Sequence, residues 1–422
     1  MKTLLYTASD SGFDLRKVPL GGAAPICQFL TDAWREQTSF KFRLLSPEVL
    51  GEDAPRGKDL LQYTPKQYVD FYFKFERAIT DEILRHDPRE TVILSNDMSD
   101  GPCFRVLSEK GYSVYCIYHM NMVHYFTSAF LHGLIRPETA ASVYRFIDHS
   151  RFRSLLPRPL ELVFLKQEES LTYSRGIIVP SEGMKRLLVR MYPHVPASRI
   201  HVYPWGSQPD NWDEKLLLSK ENELRRAYAI QDGTPVLIML SRVSPEKGQD
   251  RLLTALEIWE RADDFPSKGI CVLLCGVAGY AQAKPFEKSL MKRAEKLKKA
   301  RVIFPGYVHG LDKQAHFRLA DLYIFPSRQE SYGLTLMEAF RAGLPAVATL
   351  TDGTEQLVRE EFGELLPAAA ERDIPRLLKE AMQRMLADPQ QLRRMGQRAR
   401  EFAEAHPFSE TANRLAQMMM TS

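Results

Sequence analysis

The stretch from Asp321 to Pro345, DLYIFPSRQESYGLTLMEAFRAGLP, constrains the fold more than any other. Asp321 to Phe325 is an apolar run cut off by Pro326-Ser327, which predicts a short buried strand of a parallel sheet. Gly333 to Ala342 places apolar residues at helical spacing, and Gly343 followed by Pro345 stops the helix. The short loop between them holds Glu330, and Glu338 follows eight residues later on the helix. Two carboxylates therefore lie at and below the carboxyl end of a strand, where open α/β sheets bind ligands. The free N–H groups and positive dipole end of the helix start suit an anion there. Taken alone, the same residues also fit a solvated loop acid and an ordinary helical one.

The string resembles the donor-site motif of retaining glycosyltransferases of family 4, a P-S-x-x-E-x-x-G-L-x-x-x-E-A frame. Pro326, Ser327, Glu330, Gly333, Leu334, Glu338 and Ala339 all fit it. The resemblance implies that Glu330 lies beside the donor sugar and that Glu338 holds the ribose hydroxyls. It implies further that Ser331, Tyr332, Gly333, Leu334 and Thr335 line the donor, with the amides after the glycine on the diphosphate. The architecture it implies is α/β and GT-B, two doubly wound Rossmann-like domains facing each other across a cleft.

At 422 residues the chain is too long for one ordinary core, so two domains are expected. A 44% hydrophobic and 26% charged composition is that of a soluble globular protein. The opening MKTLLYTASD is interrupted by polar residues too early for a secretory signal, which reads as a cytoplasmic chain. Five scattered cysteines include Cys271 and Cys275 within one apolar run, ICVLLCG, where they read as core filling. The net charge of +4 is mild; it fits an anionic small-molecule donor or occasional contact with acidic lipid and does not argue for nucleic acid, so no nucleic-acid partner is expected.

In the first part of the chain, strands are expected at Thr3 to Ala8, Phe40 to Leu45, Thr91 to Ser95, Ser113 to His119, Gly176 to Ser181 and Arg199 to Trp205. Helical patterns alternate with them, which means a parallel sheet covered on both faces. Gly21 and Gly22 sit at the first helix start, where a ligand can approach the backbone or the chain can simply turn. The resemblance gives them a place near the donor phosphate or the acceptor. The helix from Pro65 to Arg85 carries Tyr68, Phe71, Tyr72, Phe73 and Phe75, read as core. His119 ends a strand, and the resemblance has it face the donor sugar; His124 is a weaker candidate. Arg136 to Lys166 reads as an irregular basic stretch interleaved with aromatics. It is a solvated surface, an anionic acceptor site or a peripheral contact with an acidic membrane. Residues I-V-P-S-E and the following x-V-x-P-x-G resemble the family, but Trp205 to Gln208, WGSQ, departs from its usual Asn-Gly-Val-Asp.

Asp210 to Glu223 is polar and charged and is taken as the linker. The domains are then 1–209, binding the acceptor, 210–400, binding the nucleotide sugar, and 401–422, a helix crossing back to the first. Domain two opens with the strand Pro235 to Leu240 and the loop SRVSPEKGQD. Arg242 and Lys247, with Gly248 at a helix start, match the spacing of the family's G-R-x-x-x-x-K-G element, with Ser241 where its first glycine is common, which implies a diphosphate clamp. After the strand ending in PGYVHG, Tyr307 and Val308 are the implied base contacts. Thr354 opens a further helix in TDGTEQL, where Asp352 replaces one glycine of the family's Gly-Gly-x-x-Glu.

The expected activity is retaining transfer of a hexose from a UDP- or GDP-sugar to a hydroxyl of a sugar, sugar phosphate, lipid or small molecule. His119, Arg242, Lys247 and Glu330 are the catalytic candidates. No Asp-x-Asp occurs, so no metal is expected, and no cofactor beyond the donor. The alternatives are a nucleotide-sugar epimerase or another GT-B enzyme acting on the donor without a sugar acceptor, and a non-catalytic sugar-nucleotide binder. ESYGLTLMEA followed by LPAVAT is similar to sucrose-phosphate synthases.

Overall fold

Parallel strands must pair through crossovers, and a strand buried on both faces has no room for polar side chains, so its sequence is apolar throughout. Runs such as GIIV, ICVLLC and LYIF meet that condition and are buried along their whole length. The computed structural model describes residues 1–9, 11, 22–55, 63–99, 101–129, 134–148, 157–209, 212–278 and 283–421.

The chain divides into two compact units, Met1–Pro204 with Ser409–Ser422, and Trp205–Phe408. The first contains β1 (Thr3–Thr7), α1 (Ala23–Arg35), β2 (Lys41–Leu45), α2 (Pro65–Ile83), β3 (Thr91–Ser95), α3 (Phe104–Glu109) and β4 (Ser113–Ile117). It continues through α4 (Met122–Ala129), α5 (Pro137–Asp148), α6 (Arg158–Tyr173), β5 (Gly176–Val179), α7 (Glu182–Met191) and β6 (Ile200–Val202). The second contains α8 (Glu214–Ala227), β7 (Val236–Leu240), α9 (Gln249–Glu260), β8 (Ile270–Cys275), α10 (Lys284–Ala294), β9 (Ala300–Gly306) and α11 (Gly310–Leu319). It is completed by β10 (Leu322–Phe325), α12 (Leu334–Arg341), β11 (Ala346–Thr349), β12 (Gly363–Leu366), α13 (Ile374–Leu386) and α14 (Pro389–Glu404), and α15 (Phe408–Thr421) ends the chain.

Among the described residues each unit holds one six-stranded sheet, in the order β2-β1-β3-β4-β5-β6 and β12-β11-β10-β7-β8-β9. All the pairings are parallel. These are the two doubly wound sheets expected from the alternation. The edge strand β2 exposes Lys41 and Arg43, charges that discourage pairing with another chain.

Local chemistry fixes the helix ends. Thr64 and Gln67 form a capping box on α2, and the Ser181 hydroxyl accepts from Met184 N at 3.2 Å on α7. At the other end of α6, Arg199 donates to the carbonyls of Leu171 at 2.9 Å and Thr172 at 3.2 Å. Helix α15 belongs to the first unit. The Trp34 indole donates to Ala412 O at 3.1 Å, Lys2 Nζ donates to Met420 O at 2.9 Å, and Met419 is fully buried.

Four readings of the sequence are corrected. The polar residues taken as a linker form most of α8, whose first turn is capped by Asp213 accepting from Lys215 N and Leu216 N; Asp210 lies outside the described residues. The described parts of Arg136 to Lys166 are not irregular: they form α5 and the first half of α6, and Lys166 is buried against Glu76 at 2.6 Å. Arg151, Phe152 and Arg153 of that stretch lie outside the described residues. On α2, Phe71, Tyr72 and Phe75 are core, whereas Tyr68 and Phe73 are exposed. No helix opens at Thr354. Its hydroxyl donates to Thr349 O at 2.7 Å and accepts from Thr351 N at 2.8 Å, which holds the segment in turns. The unread strand β12 follows.

Ile93, fully buried in the middle of β3, should tolerate truncation poorly. Ile93→Ala is expected to lower the stability of the first unit by about 2–5 kcal/mol, measured as a shift in urea midpoint at unchanged m-value.

Candidate functional site

A doubly wound sheet opens a crevice where its strand order reverses, because the loops leaving the two strands there run in opposite directions. The reversals fall between β1 and β3 in the first unit and between β7 and β10 in the second. Most of the candidate residues lie in loops after these strands.

In the second unit, β7 leads into Ser241, Arg242 and the short turn Pro245–Lys247, while β10 leads into the loop carrying Glu330. Lys247 Nζ lies 2.7 Å from Glu330 Oε2, with the two side chains only 17% and 15% exposed. Residues 83 positions apart are thus joined at the switch point. Arg242 Nη2 is 3.6 Å from Glu246 Oε1. Buried Gln249 holds the same turn, donating to Ser241 Oγ at 3.1 Å and Arg242 O at 2.8 Å. Each cation expected in the clamp therefore already faces a carboxylate.

Gly333 caps α12 in a left-handed conformation, φ 104° and ψ 60°, which a residue with a side chain adopts only under strain. Gly333 has no side chain with which to cap the helix, so its first amides face this loop with the positive end of the dipole. Leu334 and Thr335 begin the helix. The Tyr323 hydroxyl lies 2.7 Å from Thr335 Oγ1 and 3.0 Å from Leu240 O, tying α12 to the end of β7. Burial pushes that hydroxyl up, and Glu338 and Glu330 push it further, so both carboxylates act on one buried point. Glu338 pairs with Lys313 of α11 at 2.8 Å. Tyr332 is buried, and its hydroxyl donates to Trp205 O. Ser331 precedes it, half-buried. Tyr307 is 40% exposed and Val308 is buried, in the loop between β9 and α11.

In the first unit, His119 follows β4, and its Nε2 lies 3.2 Å from Asn96 Oδ1. Asn96 directly follows β3 and also accepts from the Tyr6 hydroxyl at 2.5 Å, so the imidazole is tied to the switch point of its own sheet. Burial lowers its pKa to about 4, partly offset by a hydrogen bond to the Asn96 backbone, and the ring is neutral near pH 7. Gly22 caps α1 with an ordinary helical backbone, φ −60°, and Gly21 lies outside the described residues.

Sequence reading did not find Lys313, Gln249, Asn96 or Arg328. Of these, Asn96 had a signal, being the first residue past an apolar strand beside the reversal. Among the described residues no three His, Cys, Asp or Glu side chains gather as a metal would require.

The family match lies in the second unit. Residues 220–402 match the family Glycosyl transferases group 1. That span contains Arg242, Lys247, Glu330 and Glu338. The alpha-monoglucosyldiacylglycerol synthase of Streptococcus pneumoniae is 30% identical over 211 residues, 49% of this chain and 44% of that protein. A GDP-mannose-dependent alpha-(1-6)-phosphatidylinositol monomannoside mannosyltransferase of Mycobacterium tuberculosis is 29% identical over 218 residues, 50% of this chain and 52% of that one. The chain spans about half the length of the curated relatives it matches. Among solved structures, sucrose-phosphate synthase from Thermosynechococcus elongatus aligns with a TM-score of 0.71 at 18% identity, covering 100% of this chain and 99% of that one. HepE of Anabaena, in complex with UDP and glucose, aligns at 0.65 and 16% identity over 100% of both. The fold is GT-B, and the match to the group 1 family lies within the second unit.

A histidine held neutral in the folded state binds a proton more readily once unfolded, so stability falls as pH drops from about 6.5 towards 4. Between pH 7 and pH 5 the wild type should lose up to roughly 2 kcal/mol more than His119→Asn, read from urea melts at both pH values. Equal losses would show that the ring is not desolvated.

Proposed function

We propose that this protein is a retaining glycosyltransferase of family 4, moving a hexose from a UDP- or GDP-sugar to a hydroxyl acceptor. The observation that carries the reading is the Lys247–Glu330 pair at the carboxyl ends of β7 and β10, in the same unit as the uncapped amides that follow Gly333. A nucleoside diphosphate needs cations and free N–H groups at one end, and a sugar needs acceptors for its hydroxyls. On this reading the second unit binds the donor and the first the acceptor.

Arg242, Lys247 and the amides from Leu334 onward receive the charge that develops on the departing diphosphate, a preorganised electrostatic site. Bond breaking at the anomeric carbon gives an oxocarbenium-like state. The acceptor hydroxyl attacks from the face the leaving group vacates, and its proton passes to a departing phosphate oxygen, which retains configuration. Glu330 holds Lys247 in place and accepts from sugar hydroxyls as a positioning and charge-stabilising group. Glu338 holds the ribose diol in exchange for Lys313. Tyr307 and Val308 meet the base, and Ser241, Ser331 and Tyr332 shape the donor loop. Gly21 and Gly22 admit phosphate or acceptor near the backbone. Neutral His119 has the chemistry to bond a sugar hydroxyl without bringing a charge. No metal is assigned to the diphosphate, since the cations and amides serve it, and no cofactor is needed.

The test is a panel of nucleotide sugars with and without candidate acceptors, followed by release of nucleoside diphosphate and by the anomeric configuration of the product. Lys247→Ala and Glu330→Gln should each lower turnover by roughly two orders of magnitude. Wild-type rates in both variants would refute these roles, and conversion of the donor without acceptor would favour an epimerase.

The reading includes peripheral contact with acidic membranes by a cytoplasmic enzyme. It is supported by Leu134 at 86% and Phe146 at 77% exposure in and beside α5, next to exposed Arg136. No described helix is long and apolar enough to cross a membrane. Wild type should sediment with phosphatidylserine vesicles at low salt and Phe146→Glu should not; absence of wild-type binding removes the membrane contact.

A further inference from the structure

We propose that Arg328 is a positioning residue that fastens the turn carrying Lys247 to the loop carrying Glu330, and so sets the separation of that ion pair. The inference rests on the donor-site reading for its catalytic consequence and on geometry alone for the fastening itself. Lys247 and Glu330 belong to loops leaving two different strands, and a 2.7 Å pair between them requires both loops to be held.

Arg328 holds both. Its main-chain N–H donates to Glu246 O at 2.8 Å, and its guanidinium donates to Pro245 O, so it grips the two residues before Lys247. Nη1, which bonds Pro245 O, also meets Asp250 in a fork with Nη2, each nitrogen 2.8 Å from one carboxylate oxygen. Asp250 lies in the first turn of α9, directly after the Lys247 turn. Nη2 also donates to Glu371 Oε1 at 2.5 Å. Glu371 is shared with Arg251, whose Nε is 2.9 Å away, and the Nη1 of Arg251 donates to Pro326 O at 2.9 Å. The circuit therefore closes on the loop from which Arg328 springs.

Two further facts fit this role. Gly248 has φ +79°, and a Cβ there would stand 2.1 Å from Pro326 O, so the backbones of the two loops touch where only glycine allows it. The two arginines and two carboxylates cancel in charge, so the cluster acts on the Lys247–Glu330 pair by geometry rather than by field. With its guanidinium bonded to Pro245, Asp250 and Glu371, Arg328 serves the protein and not the substrate. Lysine offers a point charge without the fork, which separates the two modes of action.

Arg328→Met and Arg328→Lys should both lower donor kcat/KM by roughly tenfold to a hundredfold while the protein stays folded at the assay temperature. Placed on Lys247→Ala, Arg328→Met should cost less than about a further twofold, because its effect passes through Lys247. Near wild-type kcat/KM in Arg328→Lys, or a full additive loss in the double variant, overturns the proposal. Hydrogen exchange tests the fastening without activity. Arg328→Met should speed amide exchange in 245–248 and 328–331 about tenfold or more and leave β7 and β8 unchanged. Unchanged exchange in the two loops overturns the proposal too. Absence of any donor turnover in the wild type would instead sink the donor-site reading and leave the exchange result to decide the fastening.

Discussion

The second unit depends on a pairing between two charges that sequence keeps far apart. Lys247 follows β7 and Glu330 follows β10, and these strands are neighbours only because the chain, after laying β8 and β9 on one side, returns to lay β10 on the other. The ion pair can form only if that reversal does. Its surroundings then follow from the need to hold half-buried charge in fixed geometry. Gln249 fastens Ser241 and Arg242, Tyr323 fastens Thr335, and a neutral cluster of arginines and carboxylates fastens both loops. A buried charge pair is weak evidence for stability, since desolvation offsets most of its attraction. What the pair does fix is the separation of the two loops that carry it.

The first unit follows the same plan with different chemistry. Its reversal holds an amide and a neutral imidazole, Asn96 and His119, in place of an ion pair. Beneath them, fully buried Gln167 donates to Asn121 Oδ1 and to the Tyr192 hydroxyl, each at 3.0 Å, and accepts from Val123 N at 3.3 Å. That network fixes the turn after His119. One sheet thus presents cations and carboxylates at its mouth and the other presents neutral hydrogen-bonding groups.

How much of this was legible follows from what each feature rests on. Strands buried on both faces announce themselves as apolar runs, and the alternation with helices dictated parallel sheets. The motif from Pro326 to Glu338 was legible because glycine and proline punctuate it. The linker was misread because α8 buries little beyond Leu224 and so shows a polar sequence. The basic stretch was misread because Lys166 looks like a surface cation until Glu76 and Glu169 of the fold surround it. The partners of the site, Lys313 and Arg328, left no local trace at all. Each is defined by residues brought to it from another strand or helix, and such pairings exist only in three dimensions.

The route of α15 has a consequence for how the molecule is made. In sequence, residues 205–408 form one continuous unit inserted between the two parts of the other, and that other unit, outer in chain order, is finished only when Ala412 and Met420 arrive to accept from Trp34 and Lys2. On the ribosome the inner unit can therefore complete its sheet while the earlier-synthesised one still waits with an indole and an ammonium unsatisfied. The portion born first is the last to be sealed.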